Sequence, residues 1–185
     1  MKIGGIILGA GKADRMGKDK LNLKFKNNKS IIEMVIDSAK ASKLDELILV
    51  YGKYDIDTDI KRVYNKDFEQ GMSTSIKNGL ERFKGDAVML ILGDMPFVTN
   101  HIINKLYEEF IKSDKNIAVP IFNGKRGNPV IIGKKYFIDL LENTGDKGAR
   151  DIIKNNLEDV KWVEVESDGI FIDIDDKASY SLINS

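Results

Sequence analysis

Two stretches of the chain carry residue types that could handle a phosphate ester. Leu8-Gly9-Ala10-Gly11-Lys12-Ala13-Asp14-Arg15-Met16-Gly17-Lys18-Asp19-Lys20 follows directly on an apolar run. A glycine-rich loop in that position can bring backbone N–H groups up to phosphate oxygens. No glycine stands in the frame of a Walker A loop, and the third glycine of a dinucleotide fingerprint is replaced by Asp14. What remains is a glycine loop with Arg15 and Lys20 in reach of an anion, against the plain alternative of a tight turn with surface charges. The second stretch, Leu92-Gly93-Asp94-Met95-Pro96, closes the most apolar run of the chain. In open α/β sheets ligands bind beyond the carboxyl ends of strands. An aspartate emerging there can hold a hard divalent cation such as Mg²⁺, which takes one or two carboxylates and completes its shell with phosphate oxygens. A turn aspartate is the competing account.

The elements that must position these residues alternate in period. Ile3–Leu8, Leu47–Tyr51, Arg62–Tyr64 and Ala87–Leu92 read as strands, the first and last as strands covered on both faces. Helical spacing runs through Ser30–Ser42, Ser73–Phe83 and Asn100–Ile111. Ile117–Phe122 and Pro129–Ile132 are strand candidates around the Asn123-Gly124 turn. Gly148–Leu157 looks helical, Lys161–Val165 and Ile170–Ile174 look extended, and Lys177–Ile183 fits a closing helix. Strands alternating with helices predict an α/β fold, a Rossmann-like three-layer α/β/α arrangement whose sheet is mostly parallel. The late strand pair predicts an antiparallel addition.

Length and charge narrow the function classes. The 185 residues suit one domain, spanning 1–185, with a core that needs no staples. The 29 basic side chains balance 29 acidic ones, which argues against a general nucleic-acid or anionic-membrane binder. There is no cysteine, hence no disulfide, zinc-thiolate site or thiol nucleophile. The longest uninterrupted apolar run, Ala87–Leu92, is far short of the ~20 residues of a membrane span. No signal-peptide pattern opens the chain, so a cytoplasmic location is expected. Charge is nonetheless uneven: Lys12–Lys29 holds seven basic residues, and Asn156–Asp176 holds eight acidic residues and one lysine. Solvated surface explains most of these side chains.

The head motif, Gly93-Asp94-Met95-Pro96, Gly71-Met72-Ser73-Thr74-Ser75, Arg126-Gly127-Asn128-Pro129-Val130 and Gly145-Asp146-Lys147-Gly148-Ala149-Arg150 together resemble the MobA-like nucleotidyltransferases. They are most similar to the branch that contains molybdenum cofactor cytidylyltransferase. The resemblance runs in order from Ile3 to about Tyr180. It implies that Leu8, Gly9, Ala10, Gly11 and Lys12 cradle a nucleotide, and that Arg15 and Lys20 bind its triphosphate as catalytic residues with Asp94. Asp94 would hold Mg²⁺, with Asp175 as a second metal-facing position by register and Asp173 as the fallback. Ser73 and Ser75 belong to the segment that approaches base and ribose, and Arg126 and Asn128 would meet the acceptor.

The implied reaction moves CMP from CTP to the terminal phosphate of a molybdopterin-type cofactor, releasing pyrophosphate. A molybdoenzyme or its chaperone is the implied protein partner. Guanylyltransferases of this group carry Leu-Ala-Gly-Gly at the head, whereas this chain has Ala10 in the third position. The methyl would crowd a purine and tolerate a pyrimidine, although one methyl discriminates by only ~1–3 kcal/mol. A guanylyl or sugar-phosphate nucleotidyltransferase, or a protein that binds nucleotide or cofactor without turnover, are the alternatives. Departures from the family pattern are Gly9 for alanine, Ala13 for serine, Asn128 for histidine, and a tail reading Asp175-Asp176-Lys177. Lys147 and Arg150 fit either an anion site or a surface helix start. His101 fits an exposed first helical turn and Trp162 a packing position, while Met72 and Met95 fit gap-filling beside the loops.

Overall fold

The apolar runs form strands that are covered on both faces, as runs without alternation require. The structure, a computed structural model, describes residues 1–11, 21–24 and 28–174. Strands β1 (Ile3–Gly9), β2 (Leu47–Tyr51), β3 (Lys61–Tyr64) and β4 (Ala87–Leu92) are parallel neighbours in the order β3-β2-β1-β4. Their side chains alternate between two cores. Ile3, Ile7, Leu49, Met89 and Ile91 pack in one, beneath α1 (Ile31–Lys40) and the helix of Asn100–Lys112. Ile6, Ile48, Val50, Val88 and Leu90 pack in the other, beneath α2 (Met72–Leu80). That completes three layers, and α3 is the name used below for Asn100–Lys112.

Local chemistry starts the first helix where the pattern predicts. The Ser30 hydroxyl accepts from the Glu33 amide and the Glu33 carboxylate accepts from the Ser30 amide, a reciprocal capping box. Ile31, Ile32, Val35, Ile36 and Ala39 then fall on the buried face.

The second half of the chain widens the sheet. Strand β5 (Ile117–Phe122) turns through Asn123 and Gly124, both at positive φ (50° and 74°), into the short β6 (Lys125–Arg126). Strand β7 (Val130–Gly133) is inserted antiparallel between β4 and β5. Two short helices, α4 (Phe137–Glu142) and α5 (Arg150–Asn155), cover the second core, and β8 (Val160–Glu164) pairs with the free edge of β5. The pairing of β4 with β7 ends at Leu90↔Val130, while β4 itself continues to Leu92. Pairing of β5 with β7 covers only Ile117 and Ala118. The upper ends of β4 and β5 therefore lose their shared neighbour, and a hollow opens between them.

Several expectations need correction. The antiparallel addition comes from β6 and β7, and β8 is parallel to β5. Ile170–Ile174 is not a strand: a 3₁₀ turn occupies Asp168–Ile170, and the amide of Ile174 bonds the carbonyl of Asp94. The helix expected over Gly148–Leu157 shortens to α5, because Gly148 adopts φ +54° and ends the preceding loop. Helix α4 was not among the expected elements; it is six residues long and only Leu140 in it is buried. The closing helix expected over Lys177–Ile183 lies outside the described residues. Among the described residues no helix is long and apolar enough to cross a membrane.

The edge of the sheet opposite the hollow is tied by one carboxylate. Asp159, which precedes β8, accepts from the Asn116 backbone amide (2.9 Å), Tyr136 (2.7 Å) and Lys135 (2.8 Å), so β5, β7 and β8 meet on it. Burial works against ionisation of Asp159, but these hydrogen bonds outweigh it and hold the carboxyl well below the usual carboxylate range. A carboxyl with a depressed folded pKa stabilises the fold above its unfolded value of about 4, and that contribution is lost as pH falls below it. Asp159→Asn should therefore cost about 2 kcal/mol at neutral pH and flatten the loss of stability below pH ~4, measured by urea unfolding across pH. An unchanged acid limb would show that the carboxylate is not the anchor.

Candidate active site

Strands β1 and β4 run in register to Leu8↔Leu92, so whatever follows them leaves the sheet at one point. The Gly93 amide donates to the Leu8 carbonyl at 3.1 Å. A Cβ at Gly93 would lie 2.9 Å from that oxygen and 3.3 Å from the Gly9 Cα, so only glycine allows the two strand ends to touch. The glycine turn of the head motif and Asp94 consequently share one end of the sheet. Gly9 and Ala10 are buried there and Gly11 is exposed. Lys12, Arg15, Lys20 and Asp175 lie outside the described residues.

Beside this junction is the hollow left by β7, a cavity of about 380 Å³. Ligand sites commonly start at about this size. Its floor is apolar, formed by Leu8, Leu90, Leu92, Val119 and Val130, and its rim carries Arg126, Asn128, Lys147 and Arg150. The structure thus brings Leu8, Arg126 and Asn128 to one cavity, although 120 residues of chain separate Leu8 from Asn128. Arg126 extends from β6 into solvent, and neither it nor Arg150 forms an ion pair among the described residues. Asn128 is half-buried, its amide donating to the Ile170 carbonyl at 3.0 Å. An apolar floor under a cationic rim suits a ligand with an apolar body and an anionic group.

The 145–148 loop is fastened by the start of α2. Asp146 accepts from the Met72 amide at 3.0 Å, and the Gly145 carbonyl accepts from the Ser73 amide at 3.0 Å. The helix N-terminus, which has unpaired amides and a positive field, is thus occupied by a carboxylate and a carbonyl of this loop. Lys147 pairs with Asp151 at 2.9 Å, and its hydrogen bond keeps the Asp151 carboxyl below the usual range. Both Lys147 and Arg150 line the cavity, which favours the anion reading over a bare surface helix start.

Ser73 and Ser75 are placed differently from the rest. They are 1% and 3% exposed, and Ser75 accepts from Asn65, itself fully buried. Their hydroxyls serve the seat of α2, and their segment reaches the cavity through Met72. The role of Asp146 was not legible in advance, since its partner amide is 74 residues away. Met72, taken for gap-filling, is part of the lining, and Ile153 joins it from α5.

Asp94 is half-buried, and its carbonyl accepts from the Ile174 amide at 3.0 Å. The acidic tail therefore arrives at Asp94, with Asp173 exposed one residue earlier. Among the described residues no group of three His, Cys, Asp or Glu side chains gathers to hold a metal. Carboxylate oxygens in ones and twos, without imidazole or thiolate, fit a hard cation that shares its shell with phosphates and fit a zinc cage poorly.

Comparison with known proteins places this geometry in a family. The model of the MobA-like NTP transferase domain matches residues 5–160. Molybdenum cofactor cytidylyltransferase of Escherichia coli (strain K12) is 28% identical over 178 residues, 92% of this chain and 89% of that protein. A probable molybdenum cofactor guanylyltransferase of Natranaerobius thermophilus is 32% identical over 128 residues, 66% of this chain and 62% of that protein. The crystal structure of Rv0371c from Mycobacterium tuberculosis H37Rv superposes with a TM-score of 0.86 at 24% identity, covering 100% of this chain and 97% of that one. A manganese complex of Rv0371C gives 0.81 at 22% identity, over 100% and 98% of the two chains. With the family model spanning most of its length, the chain belongs to the MobA-like NTP transferase domain family and is a nucleotidyltransferase.

Proposed function

We propose that this nucleotidyltransferase moves CMP from CTP to the terminal phosphate of a molybdopterin-type cofactor, with a divalent cation, Mg²⁺ in the first instance. The observation that carries the reading is the junction at Gly93, where the end of β1, the residue before Asp94 and a cationic cavity lie side by side. The likeness to the E. coli enzyme supports the acceptor class, and the manganese complex of Rv0371C supports a divalent metal.

In this reading the amides from Leu8 to Gly11 hold the triphosphate, and Arg15 and Lys20 take the charge that builds on the leaving pyrophosphate. Asp94 holds the cation, with Asp175 or Asp173 as a second carboxylate. Bound there, the cation neutralises phosphate charge and polarises the α-phosphate. Arg126, Arg150 and Lys147 hold the acceptor phosphate at the rim, with Asn128 beside them, and the apolar floor takes the body of the acceptor. An acceptor phosphate oxygen forms a bond to the α-phosphorus, the bond to the bridging oxygen breaks, and pyrophosphate leaves with the electron pair. No proton need move and no side chain need act as nucleophile. Positioning and charge compensation supply the acceleration, and the protein groups present are suited to both.

The preference for CTP rests on Ala10, which is 6% exposed at the end of β1. The relative from N. thermophilus, a probable guanylyltransferase, gives the competing choice of GTP its support. A cytoplasmic site of action and hand-over of the product to a molybdoenzyme or its chaperone complete the proposal.

Pyrophosphate release from MgCTP, MgGTP and MgUTP with molybdopterin cofactor, followed by product mass, tests the reaction directly. Turnover with GTP alone would move the assignment to a guanylyltransferase, and tight binding without pyrophosphate would remove the reaction. Asp94→Ala should lower turnover at least about a hundredfold without lowering the thermal midpoint. Near-normal turnover in that variant would defeat the metal assignment. Arg126→Ala and Arg150→Ala should each raise the acceptor KM roughly tenfold and leave the nucleotide KM nearly unchanged, in keeping with one lost charge-assisted hydrogen bond. Ala10→Gly should shift the ratio of kcat/KM for GTP over CTP upward by about tenfold. An unmoved ratio would free Ala10 of any part in base choice.

A further inference from the structure

After β8 the chain turns at Ser167, whose hydroxyl accepts from the Gly169 amide at 3.1 Å. It then passes between the turn that follows β6 and the loop that follows β4. At one end the Ile170 carbonyl accepts from the Asn128 amide at 3.0 Å, and a Cβ on Gly127 would lie 2.5 Å from that same oxygen. One residue before Ile170, a Cβ on Gly169 would stand 2.6 Å from the carbonyl of Phe97, three residues past Asp94. At the other end the Ile174 amide donates to the carbonyl of Asp94 at 3.0 Å. Ile170 and Ile174 are both 0% exposed and belong to the core that also holds Met95 and Val98.

Backbone touches backbone at all three places, with no long side chain to absorb a shift. The two isoleucines are packed in the interior, where close packing transmits displacement instead of dissipating it. Yet neither Ile170 nor Gly169 lines the cavity.

We infer that residues 167–174 form a positioning strap that couples the Asp94 loop to the turn carrying Arg126 and Asn128, so that loading metal and nucleotide sets the acceptor turn before an acceptor arrives. The inference rests on the functional reading above, in which Asp94 serves the nucleotide and the Arg126–Asn128 turn serves the acceptor. Ile170 and Gly169 are positioning residues in this scheme. The coupling is thermodynamic and reciprocal: the factor by which metal and nucleotide tighten acceptor binding is the factor by which acceptor tightens theirs, so a change that disturbs the strap contacts at the acceptor turn weakens metal and nucleotide binding.

Two measurements test the strap, both without acceptor. In the unmodified chain, adding Mg²⁺ with whichever of CTP and GTP binds should slow amide hydrogen exchange at Asn128 and Ile174 together, by roughly fivefold or more. Separately, Gly127→Ala should raise the Mg²⁺ concentration for half-maximal nucleotide binding by roughly fivefold, read by calorimetry with the thermal midpoint followed in parallel. Slowing at Ile174 with no change at Asn128 overturns the inference, as does a Gly127→Ala protein with the parent's metal dependence. Should Gly127→Ala fail to fold, the exchange result on the unmodified chain decides alone. If neither nucleotide binds with metal, the functional reading fails and the strap's role with it; nucleotide binding without transmission to Asn128 removes the strap and leaves that reading intact.

Discussion

Two parallel strands that end side by side must deliver the loops after them to the same place, and the close contact of Gly93 with Leu8 is where this chain does so. The glycine turn and Asp94 gain their common position from that contact. Were β1 and β4 separated by another strand, the glycine turn and Asp94 would stand a strand spacing further apart, and a single triphosphate would have to bridge the gap. The β1–β4 ladder extends over six registered pairs, so the junction is held by backbone bonding along nearly the full strand length.

Charge at the site is arranged by deciding which carboxylates are already engaged. The chain as a whole is neutral, and its rim cations have acidic neighbours. Asp146 accepts from the first amide of α2, and Asp151 pairs with Lys147. Arg126 and Arg150 form no ion pair among the described residues, and both line the cavity. A helix start that would otherwise attract an anion is closed by Asp146, and in the proposed reading Arg126, Lys147 and Arg150 are the groups that meet the acceptor phosphate. Loop chemistry and helix chemistry are thereby kept from competing for one phosphate.

What was legible in the sequence was whatever local chemistry decides. The unbroken apolar runs gave β1 and β4 almost to the residue, and the Ser30/Glu33 box gave the start of α1. The end of β4 pointed to Asp94 because strand ends bind ligands in this class of sheet. Long-range pairings were not legible. The antiparallel course of β7 depends on which strand lies beside β4, and no pattern within Val130–Gly133 reveals it. Asp146 looked like one more charge in a loop until α2 supplied its partner amide. Ile170–Ile174 showed strand-like residues, yet its hydrogen bonds go to two separate loops, at Asn128 and at Asp94. That Ser73 and Ser75 are buried at the seat of α2 requires knowing where α2 sits on the sheet.

The hairpin of β5 and β6 turns through Asn123 and Gly124, where a Cβ on Gly124 would meet nothing within 4 Å. Beyond this tip, β6 carries Arg126, which lines the hollow, and it pairs with β5, across the hollow from β1. Residues added at this tip would enlarge or reshape the seat of one reactant while the seat of the other kept its dimensions. If the proposed reading holds, a chain built this way can acquire new acceptors by lengthening a single ribbon, without rebuilding the half proposed to hold the nucleotide.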